Sequence, residues 1–138
     1  KQLSESKIFI VGFAFKGSPE TSDIRQSTTL DLLDDLVDLG ANLNTICGFD
    51  PIVPQEDIIG LDVAYAEYEE GFHQADAVLF MNNHRSYSGL DIFSFLDMAK
   101  EDCILFDGWH TFEPTDITSL RSIQYLGVGC SYGPGSNE

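Results

Sequence analysis

KIFIVGFAFKGSPETSDIRQSTTLDLLDDLVDLG, residues 7–40, decides the architecture. Its opening, KIFIVGFAF (7–15), is a β-rich apolar run and reads as a buried first strand. Its close, TTLDLLDDLVDLG (28–40), places apolar residues at 30, 32, 33, 36 and 37, with the acids mainly on the other face. That spacing predicts an amphipathic helix ended by Gly40. Thr28 followed by Asp31 makes a capping-box-like start, with Ser27 as an alternative N-cap. The loop between strand and helix is punctuated by Gly17, Ser18, Pro19 and Asp23, and it carries Lys16 and Arg25.

The alternation continues along the chain. NLNTICGFDP (42–51) reads as a second strand ending at Asp50-Pro51, and IVPQEDIIG (52–60) as irregular. LDVAYA (61–66) is a short third strand and EYEEGFHQA (67–75) a short helix. DAVLFMN (76–82) is a fourth strand whose apolar run suits burial on both faces. LDIFSFLDMA (90–99) is a helix, DCILFDG (102–108) a fifth strand and SIQYLGVG (122–129) a last strand. This order predicts an α/β domain: a doubly wound, Rossmann-like, mostly parallel sheet of five to six strands. Residues 1–138 form one domain on this reading, with 1–6 as a linker and 131–138 as a flexible tail. The missing initiator Met suggests a chain processed or cut from something longer.

Seven Lys and Arg stand against 23 Asp and Glu, a formal net charge of −16. Such a field repels DNA, RNA and anionic lipid, so no nucleic-acid or membrane partner is expected. Small anions remain candidates where local cations overrule it. No apolar stretch approaches the ~20 residues of a membrane span, and KQLSESK lacks signal-peptide anatomy. The three cysteines, Cys47, Cys103 and Cys130, have no CxxC spacing and an odd count. They read as reduced thiols in a cytoplasmic protein rather than a disulfide framework or zinc site.

In a doubly wound sheet, ligands sit beyond the carboxyl ends of the strands. The loops of interest therefore hold Lys16 to Arg25, Asp50, Asn82 to Tyr87, and Asp107 to His110. Gly12 and Gly17 have Walker spacing, but Ser18 stands where the lysine belongs. The GxGxxG fingerprint also fails, since residue 14 is Ala. A simpler anion site survives, made of Lys16, Arg25 and the N–H groups at the helix start. The rival reading has both cations neutralising Asp23, Glu20 or the acidic helix. Asp50 fits a ribose acceptor or, preferably, a turn starter. Trp109 either stacks on a base or sugar or caps the core. His84, Arg85, Asp107 and His110 have no metal-ligand spacing, and no nucleophile–base set stands out, so neither metal nor catalytic residues are assigned.

The residues carry a family resemblance. VGFAFKGSPETSDIRQST (11–28) resembles the G-x-AFK-x(n)-T-x-D-x-R-x-S segment of the C-terminal, UDP-binding domain of nucleotide-sugar 6-dehydrogenases. These are the UDP-glucose, UDP-N-acetylmannosamine and GDP-mannose enzymes. FDP (49–51) resembles that family's YDP, and ADAVLFMNNHRSY (75–87) its fourth strand and following loop. ILFDGW (104–109) resembles its strand ending in D-x-R, and YLGVG (125–129) its closing strand. The resemblance implies a piece of a longer enzyme that oxidises the C6 alcohol of a UDP-sugar to a carboxylate with NAD. It also implies that NAD is held mainly by a separate N-terminal domain, that the intact enzyme is a homodimer, and that it serves polysaccharide biosynthesis.

The family's catalytic cysteine, lysine and aspartate precede this domain, so no catalytic residue is assigned in this chain and the fragment alone is expected to be inactive. By motif position, Phe15 and Lys16 fall on substrate contacts and Arg25 on a cofactor contact, with Asp23 orienting the loop or Arg25. Trp109 stands where the family has a substrate-binding arginine. Trp109 packs against base or sugar there, or Arg85 or His110 takes over, or the substrate is gripped differently. The competing expectation is a stand-alone flavodoxin-like binding or dimerisation module without catalysis.

Overall fold

β1, Ile8–Val11, is buried at every position. Strand alternation sends Ile8 and Ile10 into one hydrophobic cluster and Phe9 and Val11 into another. A strand that feeds two cores must lie inside a sheet covered on both faces. The computed structural model describes residues 2–14, 16, 21–119, 123–127 and 130–132. Phe15, the loop residues 17–20 and the tail residues 133–138 lie outside them.

The other strands are β2 (Ile46–Phe49), β3 (Ala64–Tyr65), β4 (Ala77–Phe80), β5 (Ile104–Asp107), β6 (Gln124–Gly127) and β7 (Cys130–Tyr132). They form one sheet in the order β3-β2-β1-β4-β5-β6-β7. Pairing is parallel from β3 through β6, and β7 is antiparallel to β6. The doubly wound, mostly parallel arrangement is the one the sequence predicts. The sheet has one strand more than expected, because residues 130–132 turn back onto β6, so Ser131 and Tyr132 pair in a strand where the sequence predicts a tail.

Among the described residues five α-helices flank the sheet: α1 (Thr28–Asp38), α2 (Gln55–Ile59), α3 (Tyr68–Phe72), α4 (Ile92–Leu96) and α5 (Pro114–Thr118). Leu33 of α1 and Ile58 of α2 pack into the cluster with Ile8 and Ile10. Phe72, Leu96 and Ile117 of α3, α4 and α5 pack into the cluster with Phe9 and Val11. Full burial of one such aliphatic or aromatic side chain contributes about 1.5–3 kcal/mol. Two helices depart from the sequence reading. Residues 55–59 read as irregular, yet they form a turn of helix that buries Ile58 completely. Pro114 opens α5 at a position where proline's missing N–H costs nothing. Leu3–Glu5, in the expected linker, form a 3-10 turn, and Leu3 packs against the Ile8–Ile10 cluster.

The ends of α1 follow from single residues. Ser27, not Thr28, is the N-cap: its Oγ accepts from the Thr29 N–H at 3.1 Å. Thr29 is fully buried and donates its hydroxyl to the Gly12 carbonyl at 2.6 Å. At the other end Gly40 has φ +105°. There the Ala41 N–H reaches the Leu36 carbonyl and the Gly40 N–H the Val37 carbonyl, the paired bonds of a glycine-closed helix.

Candidate functional site

The sheet register brings Val11, Phe49, Phe80 and Asp107 level with one another. Four loops therefore rise from one edge. Strand order reverses between β1 and β4, which opens a crevice at that edge. Residues 12–14, 16, 21–27 and 81–91 border it, with the turns after β2 and β5 on either side.

Gly12 makes the first turn possible. Its φ is +105°, and a Cβ there would lie 2.8 Å from Asn82 Oδ1. The absent side chain lets the turns after β1 and β4 touch. Asp50 then ties them to the turn after β2. It is 4% exposed, and its Oδ2 accepts from the Phe13 N–H at 2.7 Å and the Ala14 N–H at 2.9 Å. Its Oδ1 accepts from the Ile52 and Val53 N–H groups at 2.8 and 2.9 Å. Asn82 donates its Nδ2 to Asp50 Oδ2 at 3.3 Å and accepts the Tyr87 hydroxyl at 2.6 Å. Burial, with the Asp50 charge nearby, pushes the Tyr87 phenol far up, so it stays a donor. Asp50 is thus a turn and loop anchor, the preferred sequence reading, and its lone pairs already have donors.

Asp107 plays the same part after β5. It has no exposed surface and accepts from the Thr111 and Phe112 N–H groups at 3.1 and 2.9 Å and from the Tyr125 hydroxyl at 2.9 Å. That grip holds a tight loop in which His110 takes φ +51°. Trp109, at its tip, is 48% exposed. Phe112 and Tyr125 belong to the core cluster, which does not include Trp109. An aromatic face on an anchored loop is a surface on which a ring can stack.

Lys16 is exposed just beyond the residues that Asp50 holds. Arg25 meets Asp23 in a fork: Nε lies 3.0 Å from Oδ1 and Nη2 2.9 Å from Oδ2. The hydrogen-bonded guanidinium holds the Asp23 carboxyl down at about 2. The Arg25 side chain remains 86% exposed, so its outer edge faces solvent. At the helix start, expected to offer open N–H groups, two of them are taken and Thr28 is exposed. Ser27 takes the Thr29 and Leu30 N–H groups, and Ser27 and Thr29 are both buried.

His84 is 8% exposed and caps the short turn Arg85–Gly89, accepting the Ser86 N–H on Nδ1 at 3.1 Å. Arg85 is exposed. Among the described residues no three His, Cys, Asp or Glu come together as metal ligands, and no helix is long and apolar enough to cross a membrane. Cys47 and Cys103 are buried thiols. Phe15 lies outside the described residues. Sequence reasoning missed Asn82, Tyr87 and Thr29 as the ties between loops. Only Asp50-Pro51, a turn starter at a strand end, signals that network in advance.

The sequence profile of the UDP-glucose/GDP-mannose dehydrogenase family, UDP binding domain, matches residues 9–114. Among solved structures, the chain is similar to an NDP-N-acetyl-D-galactosaminuronic acid dehydrogenase from Methanosarcina mazei Go1. The two share 24% identity at a TM-score of 0.75, over 98% of this chain and 26% of that one. A UDP-D-ManNAc dehydrogenase from Pyrococcus horikoshii shares 21% identity at a TM-score of 0.68, over 92% of this chain and 26% of that one. A UDP-glucose dehydrogenase from Pyrobaculum islandicum shares 26% identity at a TM-score of 0.51, over 62% of this chain and 19% of that one. The chain spans about a quarter of the length of the first two structures. No curated protein sequence matches it.

Proposed function

The chain belongs to the UDP-glucose/GDP-mannose dehydrogenase family as its UDP binding domain, and from that premise we propose that it binds the nucleotide-sugar in a longer, NAD-dependent enzyme. It is the C-terminal domain of that enzyme, which oxidises the C6 alcohol of a UDP-sugar to a carboxylate. The intact enzyme is a cytoplasmic homodimer that supplies polysaccharide synthesis. The observation that carries the reading is the family match over residues 9–114, which spans the loops after β1, β2, β4 and β5. All four rise from the edge where a doubly wound sheet takes its ligand.

In this reading Phe15 and Lys16, by motif position, contact the nucleotide-sugar, Lys16 pairing with its diphosphate oxygens. Trp109 stacks on the base or sugar. Arg25, whose outer edge is exposed, reaches the phosphates of NAD. The domain's own turn is a poor fit for a dinucleotide pyrophosphate: Phe13 and Ala14 N–H groups are taken by Asp50, and Ser27 takes the Thr29 and Leu30 N–H groups at the α1 start. NAD, and with it the oxidation itself, is therefore assigned to another part of the enzyme.

Calorimetry with UDP tests the proposal. Lys16→Ala removes a charge-assisted bond and is expected to weaken UDP binding about 10- to 100-fold while leaving the unfolding midpoint unchanged. Equal UDP affinity in both proteins contradicts the assignment. One observation favours the alternative of a stand-alone flavodoxin-like binding or dimerisation module: Arg25 is already paired with Asp23. That alternative predicts no heat with UDP.

A further inference from the structure

The Asp50 carboxylate divides its two oxygens between different tasks. Oδ1 serves only its own turn, through Ile52 and Val53. Oδ2 reaches across the sheet edge to Phe13 and Ala14, with Asn82 as a third donor. Phe13 and Ala14 are the last described residues before Phe15 and Lys16. Both are buried, and the Phe13 side chain packs so closely over β2 that a Cβ on Gly48 would lie 2.4 Å from its ring. The backbone leaving β1 is thus fixed from two sides: its side chain against β2 and its N–H groups on one carboxylate oxygen.

We propose that Asp50 is a positioning residue for the ligand site, its Oδ2 setting the direction in which the chain leaves β1 and so where Lys16 stands. Asp50 itself touches no ligand. It acts through the Phe13 and Ala14 amides, and Asn82 holds it in place from β4. The proposal rests on the nucleotide-sugar reading for the identity of the ligand, and on the hydrogen bonds alone for the positioning.

Two readouts on the 138-residue chain test it. In a double-mutant cycle with UDP, Asp50→Ala is expected to weaken binding about 10-fold. Lys16→Ala then costs little more in that background, because both changes act through one contact. Asp50→Asn, which keeps the volume and one acceptor oxygen, binds UDP more tightly than Asp50→Ala. Additive losses, or wild-type affinity in Asp50→Ala, overturn the proposal.

Asp50→Ala leaves four backbone donors without their acceptor. If it does not fold, Asp50→Asn decides through amide exchange. Its single oxygen is expected on the side with three donors, so Ile52 and Val53 exchange faster while Phe13 and Ala14 stay protected. Faster exchange at Phe13 and Ala14 with UDP affinity still at the wild-type value overturns the proposal. A wild-type chain that takes up no UDP removes the ligand reading instead, and the exchange pattern then decides the positioning claim: wild-type protection at all four amides, Phe13, Ala14, Ile52 and Val53, in Asp50→Asn sinks it.

Discussion

Lys16 and Arg25 carry the same charge on the same loop, and Arg25 forms a fork with Asp23. Arg25 has a partner whose protonation reports on it. The Asp23 carboxyl is depressed from 3.8 to about 2 by the Arg25 hydrogen bonds. A depressed carboxyl favours the folded pair above its ordinary pKa and loses that advantage as pH falls through the folded value. The Asp23–Arg25 fork is therefore expected intact at neutral pH and weakening between about pH 4 and 2. A carboxyl-carbon NMR titration of Asp23 should give a midpoint near 2. A midpoint at the ordinary value means that the fork does not form in solution. Asp107 belongs to the same scale with a different consequence. Asp107→Ala strips the acceptor from buried donors at Phe112 and Tyr125 and a half-buried one at Thr111. Each such orphan costs about 1–3 kcal/mol, so denaturant unfolding should show a loss of at least about 2 kcal/mol. A smaller loss indicates that water replaces the carboxylate.

Among the elements, the turn after β1 and the end of α1 offer a controlled comparison. Gly12 and Gly40 share φ +105°, but a Cβ at Gly12 meets Asn82 whereas one at Gly40 meets nothing within 4 Å. Gly40→Ala should cost only the left-handed backbone, about 1 kcal/mol. Gly12→Ala adds a clash with β4's turn and should cost about 2–4 kcal/mol in denaturant melts. Equal losses contradict the close approach of the two turns. The strands and α1 were legible in the sequence because their apolar periodicity extends over enough residues to be read. α2 and α5 were not, since one helical turn after a proline carries too little periodicity, and β7 was not, since three residues pair only once β6 is in place. The cap of α1 shows the same limit. Ser27 and Thr28 are both good caps by type, and the Gly12 carbonyl, a tertiary partner, draws Thr29 inward and settles the choice.

At the scale of the whole molecule, the proposed binding of a diphosphate by a −16 chain requires local cations that overrule its own field. The structure brings four loops to one edge, and its buried acids, Asp50 and Asp107, accept backbone N–H groups. Their charges are met by peptide dipoles, while Lys16, Arg25 and Arg85 stay exposed. The sequence showed which loops would gather, because strand order and the family motif both point to them. It did not show that Ser27 caps the helix start, because that depends on Thr29 meeting Gly12 across the turn. The most direct test of the central claim is a UDP titration followed by amide NMR on the 138-residue chain. The expected result is a set of shifts that cluster at Lys16, in residues 81–91 and around Trp109, and that shrink in Lys16→Ala. Shifts confined to other surfaces, or none at UDP concentrations of about 10 mM, would contradict it.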